Sequence, residues 1–133
     1  IQAAVLRVKL KGLDAANKAR QEIAKMYSRE IHARDLILPS VAEHCEHVFH
    51  QYVVRSKQRE ALRAYLLEQG VQTGVHYPYA LHQQPGYRTQ VRVVGELERT
   101  EALIQEIVSL PVYPELSKSE TLRVAEVLNR FHE

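Results

Sequence analysis

An α/β fold of the α+β kind, a small and mostly antiparallel sheet covered by helices, is what this sequence predicts. Two observations carry the prediction. Apolar residues recur at three- and four-residue steps in four stretches, and short runs rich in β-branched or aromatic residues lie between them. The order of the two kinds is helix, strand, helix, strand, helix, strand, helix, which suits one packed core without repeats or linkers.

The first element spans Ile1 to about His32. Leu6, Leu10, Leu13, Ile23, Met26, Tyr27 and Ile31 follow helical steps with charges between them, so a long N-terminal amphipathic helix is expected. Gly12 and the Leu13-Asp14 step weaken it, because Gly costs about 1 kcal/mol against Ala in a helix interior. Residues 33 to 47 read as an extended connection around Pro39. Val48 to Arg55 (VFHQYVVR) then has the composition of a strand. Ser56 is placed to cap a helix whose apolar stripe is Leu62, Tyr65 and Leu66, and Gly70 supplies a left-handed stop. Val71 to Val75 reads as a short strand, and Leu97 to Val108 as a helix with Leu103, Ile104, Ile107 and Val108 inward. The Leu110-Pro111-Val112-Tyr113-Pro114 run is extended, and its prolines confine it to a sheet edge. Ser117 with Glu120 forms a capping box for a last helix with Leu122, Ala125, Leu128 and Phe131 on its apolar side.

Composition narrows the function. The 133 residues fit one domain, and 45% hydrophobic content is enough for a core. With 18 basic against 16 acidic side chains, well interleaved, the net charge of +2 gives no footprint for nucleic acid. No apolar run reaches membrane-span length. The only cysteine, Cys45, has no internal disulfide partner, which suits a cytoplasmic location. The opening IQAAVLRVKLKG mixes apolar residues with Arg7, Lys9 and Lys11 and does not read as a secretory signal; its first residue, Ile1, suggests a trimmed chain or a fragment.

Candidate chemistry concentrates in Gly74–Tyr87, GVHYPYALHQQPGY. His76, Tyr77, Tyr79, His82 and Tyr87 are gathered there, with Pro78 and Pro85 fixing the backbone and Gly74 and Gly86 freeing it. Imidazole and phenol groups both stack and hydrogen-bond, so such a loop suits ligand contact as well as ordinary half-buried packing. A second cluster, AEHCEHVFH, puts His44, Cys45, His47 and His50 within a short span, the right ligand types for zinc but at no recognised finger spacing. No glycine-rich phosphate loop is present. The six lysines, Lys9, Lys11, Lys18, Lys25, Lys57 and Lys118, all lie in charged or helix-opening settings where exposure is expected, and none has the surroundings of an imine-forming amine.

The strings QAAVLRVKLKGLDAANKARQEIAKMY, HVFHQYVVRSKQREALRAYLLEQGVQTGVHYPYALHQQPGY and VSLPVYPELSKSE, in this order, resemble the C-terminal third of the DegT/DnrJ/EryC1/StrS aminotransferases. The resemblance covers essentially the whole chain. It implies the small C-terminal domain of a fold type I enzyme that uses pyridoxal phosphate to move an amino group, usually from glutamate, onto a keto group of a nucleotide-linked sugar. The family's lysine, its aspartate and most phosphate contacts belong to a preceding large domain, so no catalytic or cofactor-binding residue is expected in this chain, and it should not transaminate alone. Matched onto the family's HY turn, His76 and Tyr77 are implied to lie beside the sugar, with His82 a third substrate-binding candidate. The implied partners are the large domain or a second copy of the chain, through apolar surface that the large domain would otherwise cover. Two departures stand out: Leu97-Glu98 occupies the place of the family's usual Leu-Pro step, and the first helix starts after the family's usual lead-in, so its contacts to the large domain are expected to be missing.

Overall fold

A computed structural model describes residues 1–87 and 89–131. The chain divides into two compact units. The first comprises Ile1–Ala33, Pro39–Tyr52 and the segment from Pro111 onward; the second comprises Arg34–Leu38 and Val53–Leu110.

The expected single N-terminal helix is two helices, α1 (Gln2–Leu10) and α2 (Leu13–Glu30). The break falls at Lys11-Gly12, where Gly12 leaves helical geometry and becomes the N-cap of α2. Nothing holds the break closed, since α1 buries no residue: Val5, Leu6, Val8 and Leu10 all stay exposed. Its apolar residues are spread around the axis and make no stripe, unlike the face of α2, which buries Ile23, Ala24 and Tyr27.

That face of α2 packs along α5 (Lys118–Asn129), which contributes Val124, Ala125, Val127 and Leu128. The capping box is as the sequence predicts: the Ser117 side chain accepts from the Glu120 N–H, and the Glu120 carboxylate accepts from the Ser117 N–H at 2.8 Å. The Ser117 hydroxyl also donates to Glu120 Oε2 at 2.6 Å, and this bond with that from the Ser117 N–H holds the Glu120 carboxyl below its ordinary range. At the other end, Asn129 closes α2. Its Oδ1 accepts from the His32 N–H at 2.7 Å while its Nδ2 donates to the Glu30 carbonyl at 2.8 Å. Tyr27, fully buried, donates its hydroxyl to the Pro111 carbonyl at 2.8 Å, and its ring lies 5.1 Å from that of Tyr52. Burial, with the Tyr113 and Tyr52 phenols nearby, raises the Tyr27 pKa well above the usual tyrosine range.

The second unit holds a three-stranded sheet in the order β1 (Leu36–Ile37), β2 (Tyr52–Ser56), β3 (Ile107–Leu110), of which Tyr52 belongs to the first unit. β1 and β2 run antiparallel, with Leu36 opposite Ser56 and Ile37 opposite Arg55. The strand expected from Val48 begins only at Tyr52, because the chain turns at Phe49, whose φ of 49° no strand accommodates. Ser56 ends β2 instead of capping the next helix; its Oγ accepts from the Gln58 N–H, and Gln58 is the N-cap of α3 (Arg59–Glu68). Gly70, at φ +76°, ends that helix as expected, its N–H bonded to the Leu67 carbonyl and the Val71 N–H to the Leu66 carbonyl. Of the strand expected over 71–75, one antiparallel bridge survives, Gly74 with Ser109.

α4 (Glu98–Glu106) starts at the Leu97-Glu98 step and is shorter than expected. Ile107 and Val108 leave it to begin β3, the β-branched pair being better accommodated on a pleated surface than in a helix. The Arg55 guanidinium ties the β2 edge to the end of α4 through two bonds to Glu106 Oε2, at 3.0 and 2.7 Å.

Candidate functional site

The Gly74–Tyr87 segment starts from a fixed point. Gly74 and Ser109 exchange both backbone bonds, N–H to carbonyl at 3.0 and 2.8 Å, so the loop leaves from the side of β3. Two residues on, the His76 ring turns back over Gly74, and its Nδ1 lies 2.9 Å from the Ser109 Oγ. A Cβ at position 74 would sit 2.6 Å from His76 Cε1, so only glycine leaves the ring room. Ser109 is buried at 6% exposure while His76 itself is exposed. The imidazole is therefore clamped on one edge and open on the other. Tyr77 meets it edge to face, ring centroids 5.7 Å apart, and is 69% exposed.

Beyond Pro78, Ala80 is buried and starts a 3₁₀ turn, Leu81–Gln83, closed by the Gln83 N–H on the Ala80 carbonyl. His82 points at α4: its Nε2 is 2.9 Å from Glu101 Oε1, and its side chain is only 13% exposed. The three residues singled out from sequence thus have unlike surroundings. His76 and Tyr77 face outward together, and His82 is occupied by a carboxylate. Tyr79 and Tyr87 remain exposed on the same segment. Ser109 was missed; in the sequence it appears only inside the VSLP string, and no local pattern links it to a histidine 33 positions earlier.

The zinc reading of His44, Cys45, His47 and His50 fails. Among the described residues, no three His, Cys, Asp or Glu side chains converge as metal ligands. His47 stacks on Phe49 with ring centroids 4.4 Å apart and accepts the Phe49 N–H at Nδ1. His44 and Glu43 are both exposed, and Cys45 is exposed and free. All six lysines are exposed. No helix among the described residues is long and apolar enough to cross a membrane.

A histidine-tyrosine turn launched from the side of β3 is the main feature of this segment, and the chain shares its fold with a solved aminotransferase of the same type. The model of the DegT/DnrJ/EryC1/StrS aminotransferase family matches residues 1–129, and the chain belongs to that family. It is 41% identical over 131 residues to dTDP-3-amino-3,6-dideoxy-alpha-D-galactopyranose transaminase of Aneurinibacillus thermoaerophilus, an alignment covering 98% of this chain and 36% of that protein. It is 38% identical over 135 residues to the pleiotropic regulatory protein of Geobacillus stearothermophilus, covering 99% of this chain and 36% of that one. In structure it is similar to S. venezuelae DesV, solved in complex with a ketimine intermediate, with a TM-score of 0.91, 34% identity, and coverage of 98% of this chain and 35% of that one. The chain spans about 36% of the length of the curated relatives it matches.

Proposed function

We propose that this chain serves as the C-terminal part of a pyridoxal-phosphate-dependent nucleotide-sugar aminotransferase acting in the cytoplasm, and that it supplies one wall of the sugar pocket. The observation that carries the reading is the clamped His76 with Tyr77 beside it, both exposed near the start of the Gly74–Tyr87 segment. Fixed, outward polar rings suit a residue that orients substrate hydroxyls, because little conformational freedom is left to lose when the sugar arrives. His82, in this reading, holds the loop on α4 through Glu101 and approaches the sugar only indirectly. The cofactor and its lysine come from a large domain of the family, which fits the exposure of every lysine here.

The purified chain tests this directly. With pyridoxal phosphate, glutamate and a dTDP-linked keto-sugar it should show neither lysine-bound cofactor absorbance nor turnover, and measured turnover would refute the division of labour. Titrated with dTDP-glucose into the millimolar range, about the affinity expected of one wall of a pocket, it should shift the ring resonances of His76 and Tyr77. Shifts confined to residues outside Gly74–Tyr87 would place the sugar elsewhere.

A second reading is favoured by α1, in which Val5, Leu6, Val8 and Leu10 are all exposed. In it the chain acts as an interaction module, joining a large domain or a second copy along this helix. Sedimentation at high concentration distinguishes self-association from its absence, and a strict monomer would remove the second-copy version.

A further inference from the structure

The bond between Ser109 and His76 determines more than the position of the ring. Both backbone groups of Ser109 are engaged with Gly74, and among the described residues its buried hydroxyl has one partner, His76 Nδ1 at 2.9 Å. A hydroxyl has one proton to place, and a neutral imidazole offers one donor nitrogen and one acceptor nitrogen. If Nδ1 carried the ring proton, it would donate to Oγ and leave the Ser109 proton buried without an acceptor. That penalty tips the tautomer ratio by roughly 5- to 150-fold. The hydroxyl therefore donates, Nδ1 accepts, and the proton of the neutral ring sits on Nε2, the nitrogen on the far side of the ring from the clamp.

We propose that Ser109 is a positioning residue: it fixes His76 as the Nε2–H tautomer, so that the exposed edge of the ring is a hydrogen-bond donor whose plane is set by contact with Gly74. The tautomer of a histidine is decided by the bond its other nitrogen makes, and here that bond comes from the floor of the site. The partner chemistry follows. The group facing His76 is an acceptor oxygen of a sugar hydroxyl, a carbonyl or a phosphate, and a protonated amine is excluded there. This last step rests on the sugar-facing reading given above; the tautomer itself rests only on the hydrogen bonds.

Histidine side chains labelled with ¹⁵N, observed by two-bond correlation in alkaline buffer where the ring is neutral, test the assignment. In the unmodified chain His76 should show an unprotonated Nδ1 and a protonated Nε2. Ser109→Ala should lower that ratio by at least about fivefold, Ser109→Thr should restore it, and His82, bonded to Glu101, should be unchanged in both. An Nδ1-protonated or evenly mixed His76 in the unmodified chain overturns the proposal even if Ser109→Ala fails to fold, and so does an unchanged ratio in a folded Ser109→Ala. Adding dTDP-glucose separates the two readings. A shift at His76 Nε2 supports both, whereas the predicted tautomer without any shift refutes the sugar-facing reading and leaves the role of Ser109 standing.

Discussion

Gly74→Ala should disconnect His76 from Ser109 at a modest cost in stability. The added Cβ would lie 2.6 Å from His76 Cε1, 3.3 Å from Nδ1 and 3.5 Å from Nε2. Carbon atoms rest about 3.5–4.0 Å apart, so the ring must withdraw by about 1 Å at its nearest atom. A 2.9 Å bond lengthened by that amount is no longer a hydrogen bond. Losing that bond leaves the buried Ser109 hydroxyl without its partner, at about 1–3 kcal/mol, and against this stands the reduced freedom of the unfolded chain, about 0.4–1 kcal/mol in favour of Ala where the backbone permits it. Gly74 does permit it, because its φ lies outside the left-handed region that favours glycine. The first term is the larger, so urea denaturation should place Gly74→Ala about 0–2.5 kcal/mol below the unmodified chain. The histidine spectrum, in contrast, should show His76 losing its preferred tautomer. A variant that keeps the His76 ¹⁵N shifts unchanged would refute the steric argument, and a loss of several kcal/mol would show that Gly74 does more than make room for a ring.

Two further perturbations address the first unit. Tyr27→Phe removes the hydroxyl bonded to Pro111 but keeps the ring against Tyr52, and should cost about 1–2 kcal/mol by chemical denaturation. The same residue gives an alkaline signature: its folded pKa is raised, so its contribution is whole below the unfolded value of about 10 and is lost as pH climbs above it toward the folded value. Tyr27→Phe should therefore lose stability less steeply in that window, and an identical slope for both proteins would contradict the burial. Asn129→Leu strips α2 of both amide bonds at its end, leaving the Glu30 carbonyl and the His32 N–H without that partner, and should lower stability by about 2–3 kcal/mol in thermal or urea melts. A cost under about 0.5 kcal/mol would mean that water replaces the amide.

The features legible in the sequence were those whose cause is local. The Ser117–Glu120 box needs four consecutive residues and nothing else, and Gly70 ends α3 through its own φ. Boundaries failed where a distant partner decided them. Ile107 and Val108 continue the helical period of α4, yet sheet pairing takes them into β3, and Leu36–Ile37 is too short to signal a strand without Ser56 and Arg55 opposite. The start of β2 was misplaced because Val48 and Phe49 look like strand residues while a turn at Phe49 stands between them and the sheet. At the site, His76 and Tyr77 were recognisable by type and by resemblance. Their geometry was not, because the hydroxyl that orients the imidazole comes from the far side of α4 in the chain. The zinc cluster shows the converse, since four ligand-type residues close in sequence do not converge when a φ of 62° at His44 and the stacking of His47 on Phe49 direct the side chains elsewhere.

The amide of Asn129 closes a bond with His32 that spans 97 positions of chain, and this sets an order of events during synthesis. At roughly 5–20 residues per second, the face of α2 that carries Ile23 and Tyr27 leaves the ribosome about 5–20 s before the residue that completes it. Every segment of the second unit, through Leu110, is made within that interval, so this unit can close while the first still waits for α5. For those seconds the nascent chain carries a unit able to close and an open hydrophobic stripe on α2, the kind of surface that a chaperone binds.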